Sequence, residues 1–160
     1  MKLSTQALIL ATKAHDGTYR KSNDKVPYII HPIRVAEVVA QYTNNDNIIA
    51  AAYLHDVVED TDFAIDAFPK EVQDWVWAVT KNKGDSKSKA VEKAAQYKES
   101  MIIKLADRYD NLMDRCSDND YSMRKTVIES TKLLLTFAKK WDLTDFFVYD
   151  KIKEIVNWCI

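Results

Sequence analysis

Glycine and proline together supply only five of the 160 residues. A sandwich or barrel of short strands needs a turn every few residues, and turns draw on those two residue types. An all-β fold is therefore excluded. The 47% of apolar residues suffices for a buried core and is too high for a disordered chain. The expected fold is all-α, a compact multi-helix bundle, and the length is that of one domain, 1–160.

Charge narrows the class further. Twenty-three basic residues face 24 acidic ones, a formal net charge of −1. That balance excludes a generally basic binder of nucleic-acid polymers and a solvating acidic tail. Cys116 and Cys159 are too few and too far apart for a disulfide framework and read as reduced thiols. The apolar run near the start covers only Ala7 to Ala11, too short for a signal-peptide core or a membrane span. The expectation is a soluble, cytoplasmic protein with no membrane partner.

Apolar spacing outlines the helices. Ser4 is placed as the N-cap of a first helix that stops at Gly17, followed by a polar loop from Thr18 to Val26. Pro32 suits the first turn of a second helix that ends near Tyr42. Ile48 to Val58 is apolar on almost every side, as in a central buried helix. A short helix is expected around Ile65 to Phe68 and another from Pro69 to Val79, with Val72, Trp75, Val76 and Val79 inward. Further helices are placed at Met101 to Leu112, Ser122 to Lys140 and Thr144 to Cys159, with a polar turn at Ser117 to Tyr121. The four tryptophans read as core or helix-packing residues.

The informative charges are the ones in apolar surroundings. His55, Asp56, Glu59 and Asp60 fall in or beside the most apolar segment of the chain. Buried carboxylates need pairing or a metal ion. On a continuous helix His55 and Asp56 diverge by about 100° and pinch an ion, with Glu59 and Asp60 one turn beyond as a second layer. His31 opens a helix directly before Pro32, and Asp107 interrupts the apolar segment from Met101. His31, His55, Asp56 and Asp107 thus form a mixed nitrogen and oxygen ligand set, suited to a divalent transition ion such as Mn²⁺. His15 reads as a packing or supporting residue.

These segments resemble the HD-type hydrolase domain of the RelA/SpoT homologues, in particular the free-standing small alarmone hydrolases. The resemblance rests on Ala14-His15-Asp16-Gly17 with Arg20-Lys21-Ser22, on Pro27-Tyr28-Ile29-Ile30-His31-Pro32, and on the string His55-Asp56-Val57-Val58-Glu59-Asp60-Thr61. Val79-Thr80-Lys81 and Lys104-Leu105-Ala106-Asp107-Arg108 with Asn111 complete it. It implies an HD-domain bundle and a metal-dependent guanosine-3′,5′-bis(diphosphate) 3′-pyrophosphohydrolase. Such an enzyme takes ppGpp or pppGpp to GDP or GTP plus pyrophosphate, in the stringent response. It implies Mn²⁺ on His31, His55, Asp56 and Asp107, and Glu59 and Asp60 as the catalytic acidic pair. It also implies substrate contacts from Arg20, which packs on the base, and from Lys21, Ser22, Lys81 and Asn111.

The chain departs from the family pattern by two extra residues between Ser22 and Pro27. It departs again at Asp110 and Asp114, where the family often has histidine and threonine. Both later changes are expected near the nucleotide rather than the metal. They keep an adenine alarmone such as ppApp, or NADPH as in the metazoan relatives, as alternative substrates. A catalytically dead nucleotide-binding or scaffold protein and a phosphohydrolase acting on 5′-phosphates are the readings from other classes. The helices after Leu112 complete the bundle or support a homo-oligomer interface.

Overall fold

Asp46, on the first turn of one helix, receives the backbone N–H groups of Leu3 (2.8 Å) and Ser4 (3.2 Å) and the Ser4 hydroxyl. It thereby caps another helix, α1 (Leu3–Ala14), whose first-turn donors have no partner within the helix. The expected N-cap at Ser4 is replaced: the helix begins two residues earlier, after Lys2, and Ser4 acts as a donor to Asp46. This computed structural model describes residues 1–21, 23–115 and 121–158, with side chains described throughout except at 23, 24, 115 and 121–124. Ser22, Cys116, the turn over 117–120 and Cys159 lie outside the described residues.

Among the described residues the chain is all-α apart from one hairpin. After α1 come β1 (Tyr19–Arg20) and β2 (Asn23–Pro27), paired antiparallel, then α2 (Ile30–Tyr42), α3 (Asp46–Leu54) and α4 (Val57–Asp60). Next are α5 (Lys70–Val79), α6 (Lys87–Ala94), α7 (Lys98–Arg115), α8 (Tyr121–Lys140) and α9 (Val148–Trp158). The hairpin lies where a loop was expected, so the residues inserted before Pro27 extend a strand.

The core forms around α3. Asn45 caps it by accepting from the Asn47 N–H, and Ala50, Ala51, Ala52 and Leu54 are fully buried. Small alanines let α1, α2 and α5 pack close around it. Helix α7 lies against α2, α5 and α9 and contributes buried Met101, Ile103, Leu105 and Ala106. At the far end Phe146 is buried and stacks on Tyr42, 4.5 Å between ring centres. Gly84, at φ +86°, supplies the left-handed turn ahead of α6, which Ser86 caps.

Two expected helices change. Ile65 and Phe68 are buried in a turn closed by a Phe68 N–H to Ile65 carbonyl bond, not in a helix. The buried helix over Ile48–Val58 is broken at His55 and Asp56, which separate α3 from α4. The His55 ring explains the break. Its Nδ1 lies 2.7 Å from the Ala52 carbonyl, the acceptor that the Asp56 N–H needs in a continuous helix. Asp56 turns to φ −102°, ψ −6°, in the sparsely allowed bridge region.

Trp75 is buried as expected, and Trp141 donates its indole N–H to the Ala95 carbonyl at 2.9 Å. Trp77 and Trp158 are 51% and 90% exposed, so the packing role does not extend to them. Among the described residues no helix is long and apolar enough to cross a membrane.

Candidate metal centre

Three segments aim side chains at one point. His31 stands in the first turn of α2, His55 and Asp56 in the break between α3 and α4, and Asp107 midway along α7. One ligand atom each from His31, His55 and Asp107 lie within 4.8 Å of one another. His31 Nε2 is 3.2 Å from His55 Nε2, 3.2 Å from Asp107 Oδ1 and 3.4 Å from Asp56 Oδ2. His55 Nε2 is 3.1 Å from Asp56 Oδ2. The break in the helix, rather than a continuous helical face, brings His55 and Asp56 to the same point.

The donor set fits a divalent cation. Each ring's Nδ1 faces an obligate acceptor: Ala52 O for His55, and Asp110 Oδ2, at 2.6 Å, for His31. A proton on Nδ1 of each ring leaves Nε2 facing inward as the atom that can ligate, the arrangement of metal-bound imidazoles. Two such lone pairs 3.2 Å apart, beside two carboxylates, call for a positive charge between them.

Without a cation the same negative charges draw protons onto the rings. Burial pulls the His31 pKa down, but hydrogen bonds to Asp107 and Asp110 and the charge of Asp56 outweigh it and lift it to about 9. His55 is likewise raised against its burial, by Asp56 and Asp107. Burial opposes the ionisation of Asp56 and Asp107, yet both stay below the usual carboxylate range. The histidines hold Asp56 down, and Lys104, with Nζ 2.9 Å from Asp107 Oδ2, does so for Asp107.

Glu59 and Asp60 follow at the rim on α4. Both reach solvent, yet surrounding protein disfavours their charged forms and Asp56 adds repulsion, so both pKa values are raised. Glu59 Oε2 accepts the backbone N–H of Lys81 at 2.8 Å. Lys81 thus meets the site through its main chain, and its side chain is exposed.

The expected substrate residues divide. Arg20 is buried, with Nε and Nη2 on Asp114 Oδ2 at 3.2 and 2.8 Å and its guanidinium 5.6 Å from the centre of the Tyr28 ring. Arg20 also reaches Asn111 Oδ1 at 3.1 Å, and Asn111 passes the contact on by donating to Asp107 Oδ1 at 2.5 Å. Lys21 is exposed at the hairpin turn, and Ser22 lies outside the described residues.

Two supporting residues escaped the sequence reading. Tyr28 donates its hydroxyl to Asp56 Oδ2 at 2.6 Å; burial first, then Asp56, raises its pKa and keeps it a donor. Its three-residue spacing from His31, just past Pro27, was the available signal. Asp110 was placed near the nucleotide; it instead contacts His31, because its i, i+3 spacing puts it beside Asp107 on α7. Asp114 does lie on the Arg20 side. His15 stacks on Tyr28 at 4.8 Å; burial lowers its pKa, and its Nε2 has no hydrogen-bond partner among the described residues.

A family model described as an HD domain matches residues 7–140. The chain belongs to the HD domain family. Among its relatives is the bifunctional (p)ppGpp synthase/hydrolase SpoT of Escherichia coli K12, 33% identical over 88% of this chain and 22% of that protein. Another is the guanosine-3′,5′-bis(diphosphate) 3′-pyrophosphohydrolase of Haemophilus influenzae, 30% identical over 82% of this chain and 21% of that protein. The chain thus spans about a fifth of the length of these curated relatives. A solved structure of a metazoan ortholog of SpoT, described as hydrolyzing ppGpp, superposes with a TM-score of 0.84 at 26% identity. That match covers 99% of this chain and 96% of the other.

Proposed function

We propose that this HD domain is a Mn²⁺-dependent hydrolase that removes the 3′-pyrophosphate from guanosine alarmones, ppGpp and pppGpp, leaving GDP or GTP. The observation that carries the reading is the meeting of His31, His55, Asp56 and Asp107 at one point, with Nε2 lone pairs facing inward. It is supported by relatives whose names state that reaction or the paired synthase/hydrolase. The proposal places the whole of 1–160 in one hydrolase unit acting on a small nucleotide in the cytoplasm.

His31, His55, Asp56 and Asp107 hold the cation, with Mn²⁺ favoured by the mixed imidazole and carboxylate set. A divalent ion bound there acidifies water and offsets charge on phosphoryl oxygens. Glu59 and Asp60, whose charged forms are disfavoured by burial and by Asp56, orient the attacking water and take its proton. The water oxygen bonds to the phosphorus attached to the ribose 3′ oxygen. That phosphorus–oxygen bond breaks, the 3′ oxygen gains a proton, and pyrophosphate leaves. The face of the Arg20 guanidinium, fixed at its edge by Asp114, supplies a stacking surface for the base. Asn111 reaches the ribose, and Lys21, Ser22 and Lys81 flank the nucleotide.

The test is product analysis on a panel of ppGpp, pppGpp, ppApp, NADPH and nucleoside 5′-phosphates, with chelator and with Mn²⁺ restored. Pyrophosphate from the guanosine alarmones, lost with chelator and regained with Mn²⁺, is the expected result. Orthophosphate or triphosphate as the product, or turnover by metal-free protein, overturns the reading.

A further inference from the structure

The outer nitrogens of the two imidazoles are held by partners of different kinds. His55 Nδ1 is tied to a main-chain carbonyl of its own segment, Ala52, which no side-chain substitution deletes. His31 Nδ1 is tied to a side chain: Asp110 Oδ2, 2.6 Å away, on a helix 79 residues further along the chain. Asp110 is 7% exposed and His31 is 1% exposed, so water does not readily replace this contact. The other oxygen of Asp110 is 3.8 Å from Nη1 of the half-exposed Arg34, which steadies the carboxylate from outside.

A carboxylate differs from a carbonyl in what it does to the ring. It accepts the Nδ1 proton, and its full charge also makes the opposite nitrogen a stronger electron-pair donor. It further adds a negative charge just outside a ligand set that already contains Asp56 and Asp107.

From this contact we propose that Asp110 is a positioning residue that locks His31 as an Nε2 ligand and sets the divalent-cation affinity of the centre. The proposal rests on the reading of His31, His55, Asp56 and Asp107 as a cation site. Removing a carboxylate that supports a metal-bound histidine typically costs about 10–100-fold in affinity.

Mn²⁺ titration of the metal-free full chain, followed by the electron paramagnetic resonance of free Mn²⁺, tests it. Wild type is compared with Asp110→Ala, Asp110→Asn and Glu99→Gln, each checked for folding by thermal melting. Asp110→Ala is expected to weaken binding about 10–100-fold, with Asp110→Asn in between because it keeps an acceptor without the charge. Glu99→Gln removes a charge from the first turn of the same helix without touching His31 and stays within about twofold of wild type. The second readout is nitrogen NMR of the imidazoles with diamagnetic Zn²⁺ bound. It is expected to report His31 with its proton on Nδ1 in wild type, and a mixed or reversed state in the Asp110 variants. If Asp110→Ala fails to fold, the near-isosteric Asp110→Asn decides by both readouts. Wild-type affinity and an unchanged His31 tautomer in the Asp110 variants overturn the proposal. A wild type that binds no divalent ion overturns the cation site itself, a result distinct from tight binding indifferent to Asp110.

Discussion

His55 and His31 present the same atom to the same point, but the chain builds their positions in opposite ways. The His55 ring folds back on Ala52, three residues earlier, and by taking that carbonyl breaks its own helix. Its geometry is local, written in a short stretch of sequence and backed by fully buried Leu54. The His31 ring is seated only when α2 meets α7, through Asp110 and Asp107. The α7 side is also laced to the hairpin by Asn111, Arg20 and Asp114. A local anchor survives small shifts between helices; a remote one registers whether the helices have docked. The centre therefore reports on the fold from one side and is preset on the other.

The largest expected effect comes from deleting the local ring. His55→Ala should lower pyrophosphate release about a thousandfold, or roughly 4 kcal/mol of barrier, with folding of the variant checked by thermal melting in chelator. An equal loss from His31→Ala would show that neither half works alone, whereas unequal losses would rank them. Leu54→Ala comes next. It removes packing directly beneath the local anchor and should cost about 2–5 kcal/mol of stability by denaturant titration.

Metal removal probes the joint between the two halves. With Mn²⁺ at about 100 times its Kd, the folded state should gain about 2.7 kcal/mol over chelated protein, a rise of about 5–10 °C in Tm. No shift between the two conditions would contradict a cation bridging α2, α3–α4 and α7.

The smallest effect lies outside both halves. Hydrogen bonds from the Ser4 hydroxyl, and then from the Ser4 and Leu3 N–H groups, hold the Asp46 carboxyl below its ordinary pKa. A lowered acid pKa contributes stability above the unfolded value, near 4, that is lost as pH falls through the folded one. Asp46→Ala should therefore cost about 1 kcal/mol at pH 7, with the gap to wild type closing as the pH falls from about 4 downward. A constant gap across that range would assign the loss to packing rather than to the charged cap.

Much of this molecule is legible without coordinates because helices are local objects. The scarcity of Gly and Pro and the apolar periodicity of Val72, Trp75, Val76 and Val79 act within a few residues, and the latter foretold α5 closely. The four candidate ligands stood out because ionisable residues in apolar segments need a reason to be there. Interactions between distant segments left fainter marks: the Arg20–Asp114 pair spans 94 residues, and Asp110 read as a nucleotide-side departure until α7 was seen against α2. The break at His55-Asp56 was missed because a side-chain donor competing for a main-chain carbonyl leaves no periodic trace. Sequence alone determined the helices and the chemical types at the centre. Tertiary packing decided which nitrogen of His31 faces inward and which carboxylates support the centre, because those choices depend on hydrogen-bond partners that only folding brings within about 3 Å.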